Sequence, residues 1–225
     1  HPKLALSAQQ VEPNRLVQAL KPVAITEPQP GVWRIDFGRT FAGWIEMKLT
    51  GQPGDRIRFQ WSERENEPMT HRLHSEYIVG PDGRGTFRNR FNYGVGRWIR
   101  IEGLRQRPQP DDVQGWLIRT DYTPAADFAC SDPTLNAIHA ATLWTFENLS
   151  LGGYVVDCPQ RERMGYGGDA HATTATALDH FKLGAFYTKW SEDWRDVQGQ
   201  SAAWGVDRKE GDHERGTYLM KTGYR

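Results

Sequence analysis

The sequence predicts a multidomain β + α protein, an antiparallel β-sandwich followed by a helical region. Three observations carry this reading. Between about residue 30 and residue 119, short segments rich in strand-forming residues recur between turn residues, as in sandwiches. The pattern changes near Tyr122-Thr123-Pro124. Beyond Pro133, apolar residues recur at helical rather than alternating spacing.

Residues 1–30 hold Pro2, Pro13, Pro22, Pro28 and Pro30, and read as a lead-in with one or two short strands at most. Val32–Phe37 is the first strong strand. Gly38 to Gly43 punctuates it, and Trp44–Leu49 follows as a second. Arg56-Ile57-Arg58-Phe59-Gln60-Trp61 alternates polar with apolar residues, the pattern of a half-buried strand. Glu76–Val79, Gly85–Phe91, Arg97–Glu102 and Val113–Arg119 complete the set, with Pro81-Asp82-Gly83 as a turn. Ser131 or Asp132 can cap a helix whose first turn accommodates Pro133. Leu135, Ile138, Phe146 and Leu149 share one face of it, and Gly152-Gly153 ends it. Residues 154–168 read as a loop. Asp169 can cap a second helix through Ala170–Leu183, and Ala185–Val197 forms a third. From Gln198 onward the sequence is polar and weakly patterned.

The 225 residues carry 28 basic and 28 acidic side chains, a net charge of +0, which argues against a nucleic-acid or anionic-membrane partner. Mean hydropathy is -0.70, and no segment is long and apolar enough to cross a bilayer as a helix. No leader is read at His1-Pro2-Lys3. Cys130 and Cys158 are too few for a disulfide framework or a four-cysteine metal site and read as two free, mostly buried thiols. Nine tryptophans are many for this length; indoles stack on the C–H faces of sugars, though each also serves as core. Trp44, Trp61 and Trp98 are the candidates on the sandwich. His71 and His74 belong to a solvated stretch. No nucleophile elbow and no phosphate-cradling loop is present.

The chemistry concentrates in Asp157-Cys158-Pro159-Gln160-Arg161-Glu162-Arg163-Met164-Gly165-Tyr166-Gly167-Gly168-Asp169-Ala170. Three carboxylates, two guanidiniums and a phenol share one glycine-rich loop and a helix start, where a bent backbone can aim several side chains at one point. Glycoside hydrolysis needs a protonated carboxyl that delivers a proton to the leaving oxygen and a second carboxylate across the scissile bond. Neighbouring acids favour the protonated form and arginines oppose it. Composition alone leaves open a solvated ion network with Asp169 as a helix cap. Cys158, Asp169 and His171 are conceivable metal ligands, but their spacing fits no common structural site.

This segment resembles the signature loop of the family 78 α-L-rhamnosidases of bacterial type. The resemblance extends to Asp36-Phe37-Gly38 with Phe41-Ala42-Gly43-Trp44, to Tyr93-Gly94 with Arg97-Trp98-Ile99, and to Phe128-Ala129-Cys130-Ser131-Asp132-Pro133 with Leu135-Asn136, covering roughly residues 30–190. It implies an accessory β-sandwich over residues 1–123 and the opening helices of a catalytic (α/α)6 barrel over residues 124–225. It implies inverting release of terminal α-L-rhamnose from an oligo- or polysaccharide, with no cofactor and no metal. Carried over by position, Glu162 is the general acid, and Asp157, Arg161 and Asp169 hold the rhamnose ring. Tyr166 stands where many members carry Trp and provides a smaller stacking wall. His171 departs from the usual pattern and hints at a charged polysaccharide fragment.

Trp204-Gly205 resembles a Trp-Gly pair that contacts sugar, which makes Trp204 a further substrate-binding candidate. The family's general base is a Glu far downstream of the loop, and no residue here matches it. About a hundred residues cannot close a barrel of a dozen helices. The expectation is an incomplete catalytic domain with little inverting turnover by itself. A homodimer is left open, and a polysaccharide substrate leans toward a secreted or periplasmic bacterial protein. Two competing readings remain: a non-catalytic carbohydrate-binding sandwich, and a barrel enzyme acting on uronic-acid-containing oligosaccharides.

Overall fold

The computed structural model describes residues 7–66 and 73–197. Two compact units divide the chain: one contains Leu16–Ile118 with Pro159–Arg161, and the other contains the described residues before Leu16, Arg119–Cys158 and the described residues from Glu162 onward.

The first unit is built on eight strands: β1 (Asn14–Leu20), β2 (Ala24–Gln29), β3 (Val32–Thr50), β4 (Arg56–Ser62), β5 (His74–Ile78), β6 (Arg84–Arg88), β7 (Gly94–Glu102) and β8 (Val113–Thr120). Their order is β1-β8-β3-β7-β4-β5, with β2 and β6 also paired to β3. Strand β3 is the organiser. Its first half pairs with β2 and β7, and its second half with β8 and β6, all antiparallel. The expected break at Gly38–Gly43 is therefore not a break. Asp36 Oδ1 accepts a 2.6 Å hydrogen bond from the Gly38 N–H, Gly38 takes φ +75°, and the β7 register shifts between Asp36 and Phe41 while the strand continues. The glycines mark a bulge that bends one long strand.

Alternation along these strands places Ile35, Ile45, Met47, Ile57, Phe59, Ile99, Ile101, Val113 and Leu117 in the core, each at most 1% exposed. Phe59 stacks on Phe87 with ring centroids 4.4 Å apart. The strand expected to reach Phe91 stops at Arg88, and Phe91 is fully exposed with φ +66°. The residue expected to end that strand instead turns out to solvent.

Gly43 shows why the crossing strand tolerates no side chain. A Cβ there would stand 1.8 Å from the Trp116 carbonyl oxygen of the paired β8. Gly43→Ala is expected to destabilise the sheet by about 2 kcal/mol through forced separation of β3 and β8. Urea denaturation checks this, and an unchanged midpoint would refute it.

The second unit contains α1 (Pro133–Leu149), α2 (Gly167–His180) and α3 (Gly184–Val197). Asp132 caps α1, accepting from the Thr134 N–H at 2.7 Å, with Pro133 in the first turn as expected. Helix α2 departs from expectation at both ends. It starts at Gly167 behind Tyr166, so Asp169 lies within the first turn rather than at the cap, and it stops at His180. An acidic side chain in the first turn still suits the helix dipole, which is why the sequence signal sits three residues late. His139 of α1 and His180 of α2 meet with their Nε2 atoms 2.8 Å apart.

The core of this unit gathers Tyr122, Phe146, Val155, Ala170, Ala177, Phe181, Leu183, Phe186 and Trp190. Only the second half of the apolar face expected on α1 is used. Phe146 is buried and Leu149 packs against the core, while Leu135 and Ile138 are 50% and 57% exposed. Neither cysteine forms a disulfide, as expected, but Cys130 is exposed and Cys158 half-buried, so neither is the buried thiol the composition suggested. Each is drawn into polar hydrogen bonding, Cys158 at the site described next.

Candidate active site

The loop between α1 and α2 is closed by its own backbone. Asp157 N–H donates to the Met164 carbonyl at 2.9 Å, and Met164 N–H returns a bond to Asp157 Oδ1 at 3.2 Å. Arg163 N–H donates to the Cys158 carbonyl, and Arg163 adopts φ +58° to make the return. Gly165 lies where a Cβ would be 2.8 Å from the Tyr154 ring and 3.1 Å from Trp190. The lack of a side chain lets the loop settle onto those two aromatics, and Tyr154 fixes it further by donating to the Arg163 carbonyl at 3.3 Å.

This frame brings four of the candidate residues together. Tyr166 Oη donates to Glu162 Oε2 at 2.5 Å. The Cys158 thiol donates to Asp157 Oδ2 at 3.0 Å and its sulfur accepts from the Glu162 N–H at 3.3 Å. Ligand atoms of Asp157, Cys158 and Glu162 all lie within 4.8 Å of one another. This is a tighter group than Cys158, Asp169 and His171, and His171 is exposed. Glu162 is exposed, whereas Asp157, Tyr166 and Asp169 are half-buried.

The two aspartates are pushed in opposite directions. Burial drives the Asp157 carboxyl up, but hydrogen bonds from the Cys158 thiol, the Cys158 and Met164 backbone and the Glu162 side chain together hold it below the ordinary carboxylate value. Burial, reinforced by the charges of Asp157 and Glu162, raises Asp169. The cluster thus holds one carboxyl that gives up its proton more readily than an ordinary carboxylate and one that keeps it longer, the kind of divergence found where acid–base chemistry is done.

Arg161 is exposed and groups with the strand-built unit, as does Gln160, which donates to Glu63 Oε2 at 3.3 Å. Trp204 lies outside the described residues. Sequence reasoning weighed Cys158 only as a conceivable metal ligand and passed over Met164 as a participant. The available signal was position alone: Cys158 follows the first acidic residue of the motif, and Met164 closes the span that begins there.

Residues 123–207 match the family model of the bacterial α-L-rhamnosidase six-hairpin glycosidase domain, and residues 26–119 match that of the bacterial α-L-rhamnosidase concanavalin-like domain. These two matches define the class, a β-sheet domain followed by part of a helical-hairpin glycosidase domain. The chain belongs to the bacterial α-L-rhamnosidase family. An α-L-rhamnosidase of Formosa agariphila is 30% identical over 203 residues, covering 84% of this chain and 21% of that protein. One from Streptomyces avermitilis is 29% identical over 200 residues, covering 85% and 19%. The solved α-L-rhamnosidase from Dictyoglumus thermophilum superposes with a TM-score of 0.79 at 30% identity, over 84% of this chain and 22% of that one. The Streptomyces avermitilis enzyme complexed with L-rhamnose gives 0.81 at 27% identity, over 86% and 20%. The chain spans about a fifth of the length of the relatives it matches.

Proposed function

We propose that this chain carries the acid-bearing part of an inverting α-L-rhamnosidase that releases terminal α-L-rhamnose from an oligo- or polysaccharide. Residues 1–123 serve as the accessory sandwich and residues 124–225 as the start of the catalytic domain. The observation that supports this most directly is the joining of Glu162, Asp157 and Tyr166 by one closed loop, in a chain of this family.

In this reading Glu162 protonates the leaving glycosidic oxygen. Asp157, kept ionised, accepts hydrogen bonds from ring hydroxyls, and Asp169 and Arg161 complete the hold on the sugar. Asp157 is not the water-activating base. Its carboxylate lies within 4.8 Å of Glu162 and on the same loop, whereas an inverting pair stands about 6.5–9.5 Å apart on opposite faces of the sugar. A further carboxylate supplies the base, as the expected downstream Glu would. No cofactor is invoked.

Hydrolysis of an aryl α-L-rhamnoside by the intact enzyme, with the product anomer followed by NMR, tests the reading. β-L-Rhamnose should appear first. Initial α-anomer would replace inversion with retention, and no rhamnose release would remove the assignment.

Tyr166 has a defined part in this scheme. Its hydroxyl holds one oxygen of Glu162, leaving the other to carry the proton. Tyr166→Phe keeps the ring and removes the hydroxyl. We expect kcat to fall roughly tenfold with KM little changed, the loss of one hydrogen bond to a charged group. A rise in KM at constant kcat would instead make Tyr166 only the stacking wall its position in the motif suggests.

A further inference from the structure

The sheet of the first unit has an outer face that the catalytic reading does not use. Strands β3, β7 and β4 lie side by side, and their register aligns Arg34 with Arg100 and Gln60, and Trp98 with Ser62. The alternate residues Ile35, Ile99, Ile101 and Phe59 are buried in the core. Arg34, Gln60, Ser62, Trp98 and Arg100 therefore face away from it. They line a recess of about 330 Å³, bordered by Glu65 and Asn66. That volume falls within the roughly 300–1,000 Å³ of small-ligand sites.

Two features of this recess match a sugar. The first is a fixed aromatic wall. The Arg97 guanidinium lies 4.5 Å from the Trp98 ring centroid and is itself clamped to Asp36 by two 2.7 Å hydrogen bonds. An indole braced in this way loses little freedom on stacking against a ring of C–H bonds. The second is polarity without net charge. Arg34 pairs with Glu65 at 2.7 Å and is held by Asn66 Oδ1 at 2.9 Å, and Arg100 pairs with Glu102 at 2.8 Å. Both guanidiniums are already neutralised, so a phosphate or a uronate finds no unmatched cation among the described residues that line the recess. The Gln60 carboxamide and the Trp98 indole N–H have no hydrogen-bond partner among the described residues. They offer donors and an acceptor to hydroxyl groups.

We propose that this recess is a carbohydrate-binding site for a neutral oligosaccharide segment, stacked on Trp98 and hydrogen-bonded by Gln60. The proposal does not depend on the assignment of Glu162. Binding here would hold a glycan chain on the protein independently of bond cleavage.

The test is an NMR titration of the intact protein carrying Glu162→Gln, so that no probe is consumed. Short oligomers of α-linked L-rhamnose, β-linked galactose and β-linked glucose are the neutral probes, with oligogalacturonate as the charged comparison. At least one neutral oligomer should shift the Trp98 indole and Gln60 carboxamide resonances. Trp98→Ala should weaken that binding roughly tenfold and Gln60→Ala roughly fivefold, with the fold of each confirmed by circular dichroism. Gln60→Ala leaves the aromatic packing intact and carries the test if Trp98→Ala unfolds. The proposal is overturned if no neutral oligomer moves these resonances, if affinity is unchanged in the Gln60 variant, or if only oligogalacturonate binds.

Discussion

Glu162→Gln should reduce aryl α-L-rhamnoside turnover by about 10²- to 10⁴-fold, the range for loss of a general acid. The substitution keeps shape and keeps an oxygen for the Tyr166 hydroxyl, so the closed loop should survive. What is lost in the proposed scheme is the proton for the leaving oxygen. KM should change little, because in that scheme Asp157 and Asp169 still hold the sugar. The fall should also depend on the leaving group: an aryl rhamnoside whose phenol is a strong acid departs without help and should lose far less. Equal losses for good and poor leaving groups would count against proton donation by Glu162. An Asp157→Asn variant provides the contrast, with an effect weighted toward KM.

The second large effect is expected outside the loop. Arg119 has a side chain only 9% exposed, and its Nε donates to Glu147 Oε1 at 2.9 Å in the last turn of α1. Its Nη1 donates to the Thr120 and Tyr122 carbonyls at 2.7 and 3.0 Å, and the guanidinium lies 4.1 Å from the Tyr122 ring centroid. Tyr122 in turn contacts the rings of Phe146, Phe181 and Phe186. Glu147→Ala leaves this buried cation without its counter-charge and should cost about 3 kcal/mol. Glu147→Gln, which keeps an acceptor, should cost clearly less. Chemical denaturation of both variants measures this, and two equal losses would show that side-chain shape rather than charge is what matters at that position.

Much of the sheet was readable because alternation is a direct image of a half-buried strand. Arg56–Trp61 and Arg97–Glu102 fall within β4 and β7. The misreadings occur where local signals compete with tertiary ones. Gly38 with φ +75° looks like a terminator in sequence, yet pairing with β2, β7 and β8 carries β3 through it. Leu135 and Ile138 follow the helical period as faithfully as Phe146, but periodicity does not say which part of a face finds a partner. At the candidate site the residue types were legible and their connections were not. That the Tyr166 hydroxyl meets Glu162, and that the Cys158 sulfur stands between Asp157 and Glu162, depends on the backbone reversal at Arg163. A positive φ at an arginine leaves no trace in composition.

The length of β3 has a consequence for how the sheet is assembled. Because Val32–Asp36 aligns β2 and β7 while Gly43–Thr50 aligns β8 and β6, one strand transmits alignment between the two halves. A slip of one residue at one end would exchange inward and outward side chains there and, unless the bulge absorbed it, at the other end as well. The halves are thus proofread against each other. The partners span from Ala24 to Leu117, so this check is completed only after nearly the whole unit has been synthesised, and the polypeptide emerging from a ribosome holds an unsatisfied β3 until β8 arrives.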